Sequence, residues 1–136
     1  HDVLYSLLCI SFFADQEIDE SEKDAIFNSY KLFVPNVDNE IFNRDFGMTT
    51  EKFIELNTEE ARQVQFDDSL IKIANADNFD NAELEKLINC YVEIANADDF
   101  IHENEVTLIQ NAIESWSMSI VVDKPKSGEK LKVKNS

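Results

Sequence analysis

An all-α bundle is the fold class that the sequence predicts, and three observations predict it. Gly and Pro are scarce, with Gly47, Gly128, Pro35 and Pro125 the full set in 136 residues, so the turn punctuation that a sandwich or barrel of many short strands requires is missing. Apolar residues recur at helical spacing in several long segments. Three acidic stretches combine the end of one such segment with a capping-box start for the next. The length is that of one ordinary domain, sufficient to bury a core without disulfides or a structural metal. The division expected is an acidic helical domain over 1–118 and a Lys-rich C-terminal tail over 119–136.

Val3, Leu4, Leu7, Leu8, Ile10 and Phe12 leave the first helix little polar face, which predicts a central place in the bundle and an end near Asp15. A second helix starts at Asp19, carries Ala25, Ile26, Tyr30, Phe33 and Val34 on one side, and ends before Pro35. Residues 36–48 read as a loop or short helix. Thr49 or Thr50 can cap a short helix with Phe53, Ile54 and Leu56, and Thr58 can cap another running to Ala76. Leu84, Leu87, Ile88, Tyr91 and Ile94 form one core-facing stripe, and Val106, Ile109, Ala112, Ile113 and Trp116 form the last. Beyond Ile120 the pattern changes to Lys-Leu-Lys-Val-Lys, a tail or a short strand pair with residues 119–122.

Charge excludes several functions. Residues 121–136 hold five Lys against Asp123 and Glu129, which leaves 7 basic and 26 acidic side chains in the other 120 residues, a charge of −19. Such a body repels phosphate backbones and anionic membrane surfaces, so nucleic acid is not an expected partner. Metal cations, basic proteins and the chain's own tail are the partners that charge favours, and the tail is expected either to lie on the acidic body or to stay free in solvent. The longest apolar run, Val3 to Ala14, is too short to span a bilayer and lacks the basic start of a signal peptide, so direct membrane insertion is not expected. Cys9 and Cys90 sit in apolar helical patterns as buried reduced thiols, which points to the cytoplasm.

The most informative feature is an internal repeat. Ala14-Asp15-Gln16-Glu17-Ile18-Asp19-Glu20-Ser21-Glu22 and, 83 residues on, Ala97-Asp98-Asp99-Phe100-Ile101-His102-Glu103-Asn104-Glu105 share the form Ala-Asp-x-x-Ile-x-x-x-Glu. Between them Ala76-Asp77-Asn78-Phe79-Asp80-Asn81-Ala82-Glu83 is one residue shorter. A structural reading covers most letters: Asp19, Asp80 and residue 102 start helices, and Glu22, Glu83 and Glu105 follow as capping-box acids. The leading Asp at 15, 77 and 98 is left over, because it ends a helix where negative charge is mildly unfavourable. The Asp-to-Glu spacing matches the second half of a calcium loop, but four residues before the Asp stand Ser11, Ile73 and Ile94, so the first-half ligands of an EF-hand are missing. Two readings stand: cap and turn, or a shared cation site with oxygen ligands, suited to a hard divalent ion.

In order and spacing, residues 3–117 resemble the short helical domains of the TerB-like family, which carry Ala-Asp-Gly-x-Ile-x-x-x-Glu near both ends. That family includes tellurite-resistance proteins and the N-terminal domain of a membrane-anchored DnaJ-like co-chaperone. The resemblance implies about seven helices, acidic surface patches, a divalent-cation site (calcium or magnesium) and a membrane-associated protein partner in a stress response. It carries over to Asp15, Glu22, Asp98 and Glu105 as the metal ligands. The sequence departs from the family where Gln16, Asn78 and Asp99 replace the Gly, and Gln tolerates a left-handed turn less well than Asn or Asp.

Catalysis is not expected. The histidines are His1 and His102, no Ser-His-Asp or Cys-His arrangement can be assembled, and no Gly-rich phosphate loop or paired Glu-x-x-His is present. A non-catalytic binding module is the reading that remains. Its rivals are an acidic decoy that mimics nucleic acid and sequesters a basic protein, and a metal-dependent hydrolase, which would ordinarily include His at an open metal.

Overall fold

The computed structural model describes residues 2–12, 20–77, 79–97, 103–123 and 132–135. Among them run six helices, α1 Asp2–Phe12, α2 Glu20–Phe33, α3 Asn39–Glu55, α4 Glu59–Ala74, α5 Asn81–Asn96 and α6 Glu103–Ser115, followed by strands β1 Ile120–Asp123 and β2 Lys132–Asn135. The all-α bundle is the one expected, with six helices among the described residues in place of about seven.

The difference in count lies in α3. Asp38 accepts from the Ile41 amide at 2.8 Å and starts a helix where a loop or short helix was expected, and that helix continues through Thr49 and Thr50. The two threonines do not cap. Their hydroxyls donate back to the carbonyls of Asp45 (2.8 Å) and Phe46 (2.7 Å), one turn earlier, which is the other use a helical Thr has for its hydroxyl. Gly47 sits mid-helix on the exposed side and does not break it. Two other expected caps are present, Thr58 accepting from Ala61 (3.1 Å) and Asp80 from Glu83 (3.0 Å), while the start expected at Asp19 lies outside the described residues.

Helix α1 is the hub. Leu4, Leu7, Leu8, Cys9 and Ile10 are fully buried, and the helix packs against each of the other five. Phe42, Phe53, Phe66 and Tyr91 fill the space around it. Stacked rings help to close the bundle, among them Phe27 on Phe42 at 4.4 Å and Phe33 on Phe79 at 5.5 Å. Arg62 closes α3 onto α4: its Nε donates to the Leu56 carbonyl at 2.7 Å while its guanidinium lies 4.3 Å from the Phe53 ring. Both thiols are buried and unbridged, and burial pushes each thiol's pKa up.

The two strands pair antiparallel, Val121 opposite Lys134 and Val122 opposite Val133. The Val122 amide donates to Gln110 Oε1 of α6 at 3.4 Å, and Val122 and Val133 are half-buried against the core. Val122 and Val133 thus make apolar contact between this hairpin and the bundle, and the lysine side chains of the tail lie outside what is described. No described helix is long and apolar enough to cross a membrane.

Candidate functional site

Each helix start in the repeat can be compared with the others. In the middle copy every polar side chain described has a surface role: Asp77 is exposed, Asp80 caps α5, and Glu83 pairs with Lys86 at 3.1 Å. Capping and surface pairing account for Asp80 and Glu83, and Asp77 simply faces solvent.

The outer copies differ. Their first turns each hold one exposed acid, Glu20 in α2 and Glu103 in α6, and one buried acid, Glu22 and Glu105, each only 5% exposed. The exposed acids suit the positive end of the helix dipole. A buried carboxylate needs a specific partner, since its desolvation is otherwise costly. For Glu22 one partner is Ser11 of α1, itself 4% exposed, whose hydroxyl donates to Glu22 Oε2. The hydroxyl that stands four residues before Asp15 is thus the group that reaches the repeat's own Glu.

The start of α2 also meets the second copy. Ser21 Oγ donates to the carbonyl of Ala97 at 3.5 Å, a long hydrogen bond that sets the beginning of α2 beside the end of α5. Of the four residues expected as ligands, Glu22 and Glu105 are buried in first turns, and Asp15 and Asp98 lie outside the described residues. Among the described residues no three His, Cys, Asp or Glu side chains gather as a metal-holding group. The two ligands that are described, Glu22 and Glu105, offer carboxylate oxygen, which suits a hard divalent ion and not a soft one. The staple expected at Ile101 and the helix start at residue 102 also fall outside the described residues.

Sequence reasoning missed Ser11 and Ser21. Ser11, like Ser6, is a polar residue in a mostly apolar helix, and a hydroxyl within that pattern was the available signal.

The surface electrostatics follow from how the basic residues are used. Lys23, Lys31, Lys52, Arg62 and Lys86 lie over the rings of Phe46, Phe27, Tyr5, Phe53 and Phe33, at 4.1–5.8 Å from the centroids. Arg44 and Lys72 pair with Asp45 (3.4 Å) and Asp68 (3.0 Å). Every basic side chain of the body thus has a local ring or acid, and most of the 26 body acids carry their charge to solvent.

These features define a class: an acidic all-helical bundle with repeated helix junctions, two of which bury a glutamate. The family model of the tellurite resistance protein TerB matches residues 1–119. The chain belongs to the TerB family. Neither the curated proteins nor the solved structures hold a match to it.

Proposed function

We propose that the chain is a non-catalytic binding module that takes up a hard divalent cation, calcium or magnesium, through Asp15, Glu22, Asp98 and Glu105. Its acidic surface then serves a protein partner, membrane-associated in keeping with the family resemblance, in a tellurite or stress response. The observation that carries the cation reading is the contrast between copies: the middle copy keeps Glu83 at the surface against Lys86, whereas the outer copies bury Glu22 and Glu105. Capping rewards an exposed acid as well as a buried one, so burial calls for another role.

Calorimetric titration of the protein with calcium, magnesium and zinc tests it. Heat is expected with calcium or magnesium and is expected to vanish when Asp15 and Asp98 are both replaced by Asn. Binding that survives the double replacement places the site elsewhere. Absence of heat with all three ions leaves the repeat a capping device.

A second reading is favoured by the occupied cations of the body: an acidic surface with so little internal neutralisation suits a basic protein, as a decoy for nucleic acid would. Capture of a basic protein that weakens steeply with salt, and that is indifferent to divalent cations, would favour the decoy over the cation module.

A further inference from the structure

Five large apolar side chains are more than half exposed among the described residues: Leu32, Met48, Ile54, Val64 and Ile71. Leu32 is by itself on α2, and Met48 and Ile54, six residues apart, point about 120° apart around α3. Val64 and Ile71 differ, because seven residues make two turns and bring them onto one line of α4. That line lies opposite the face of α4 that carries Phe66, Leu70 and Ile73 into the core, so the helix has an apolar stripe to spare. Both residues are β-branched, and helix propensity would choose Ala, Glu or Lys at so exposed a position. Acids border the line. On one side stand the exposed Glu60 and Asp67, the latter accepting from the neutral Gln63 amide at 3.0 Å, and on the other Asp68 is held by Lys72 at 3.0 Å.

We propose that the outer face of α4 docks a basic amphipathic helix of a protein partner, Val64 and Ile71 taking its apolar stripe and Glu60 and Asp67 its Lys or Arg side chains. The inference rests on the reading of an acidic surface that serves a protein partner, and says where and how it does so. A helix laid along α4 meets two anchors spaced two turns apart, the repeat that its own apolar residues have. Charge decides among the occupants. In a second copy laid on the same line, Asp67, which lies between Val64 and Ile71, would meet its own counterpart, and like charges facing each other are costly. An anionic membrane surface is repelled by the same acids. The chain's own strands β1 and β2 are engaged on α6 and α5. A basic helix satisfies both features of the face: apolar contact fixes its place, and the bordering acids set its approach rate and salt dependence.

The test measures, by fluorescence anisotropy, the binding of two synthetic Leu/Lys peptides of about five helical turns, one with its leucines in a helical stripe and one with the same residues scrambled. The wild-type chain is expected to bind the amphipathic peptide more tightly than the scrambled one, and more weakly as salt rises. Val64→Gln with Ile71→Gln is expected to lower that affinity about tenfold, from the loss of two partly buried apolar contacts, and Asp67→Asn about twofold to threefold. Met48→Gln with Ile54→Gln, similarly exposed but off the line, is expected to leave it unchanged. All these side chains are exposed, so the variants are expected to keep the wild-type far-UV circular dichroism. Equal binding of the two peptides overturns the inference, as does binding that Val64→Gln with Ile71→Gln leaves at the wild-type value; in either case the partner reading stands. A concentration-dependent dimer that the same replacement dissolves overturns it in favour of a second copy. Peptide binding that appears only once residues 124–136 are removed overturns it in favour of the chain's own tail. No binding of either peptide, with or without those residues, overturns both the inference and the partner reading.

Discussion

The indole Nε1 of Trp116 donates to the backbone carbonyl of Leu70 at 2.9 Å, tying the turn after α6 to the middle of α4. Trp116 also stacks on Tyr91 of α5, with centroids 6.3 Å apart, so one side chain joins three helices. Trp116→Phe keeps the ring contact and removes the donor. A loss of about 1–3 kcal/mol is expected, combining a buried acceptor with one partner fewer and a small cavity. Urea unfolding followed by far-UV circular dichroism measures it, because the substitution removes the chain's one tryptophan as a fluorescence probe.

Gly47 offers the opposite sign. It lies within α3, is exposed, and a Cβ built on it meets nothing within 4 Å. Gly47→Ala is expected to stabilise by about 0.5–1 kcal/mol, through helix propensity and a less flexible unfolded chain. In a thermal melt the midpoint should rise by roughly 2–5 °C. An unchanged or lower midpoint would mean that this position has a use for glycine beyond helix propensity.

Burial holds the thiols of Cys9 and Cys90 above their ordinary pKa, and burial likewise raises the phenols of Tyr5 and Tyr91. The folded chain keeps these groups neutral where the unfolded chain ionises them. Their contribution to stability is therefore fully present below the unfolded thiol value, about 8.5, and is lost as pH rises above it, with the phenols adding to the loss above about 10. Unfolding free energy is expected to fall between pH 8 and 11. Native protein at pH 8 should leave both thiols unreactive toward a disulfide reagent, and denaturant should release both; prompt reaction of either in the native state contradicts their packing.

The hairpin makes the tail's stability effect larger than its composition suggests. Val133 packs against the core from β2, and pairing with β1 holds it there. Removing residues 124–136 is expected to cost about 1–2 kcal/mol, chiefly the burial of one valine. High salt should change that cost little, since the contact is apolar. A loss that disappears in high salt would mean that lysine charge does the docking.

Much of the fold was legible because the patterns were local. The stripes at Leu84 to Ile94 and Val106 to Trp116, and the caps at Thr58 and Asp80, each need only neighbours within a turn or two. Helix α3 was misread because Thr49 and Thr50 are residues with two helical uses, capping a helix or bonding back within one, and only the chain around them decides which. The repeat was legible as a pattern, but the inequality of its copies was not. The burial of Glu22, and its bond to a hydroxyl 11 positions earlier in another helix, depend on how α1 and α2 are brought together.

The central place of α1 has a consequence for how the chain comes into being. It is made before the five helices that cover it, so Leu4, Leu7, Leu8, Cys9 and Ile10 cannot meet the partners that bury them in the bundle until those segments leave the ribosome. Until α4 and α5 exist, this segment lacks most of its native cover, and apolar segments in that state are bound by holding chaperones and associate with their own copies when chaperones are scarce. Substitutions in α4 or α5 that delay docking should therefore lower the yield of folded protein in cells more than they lower the stability of what does fold.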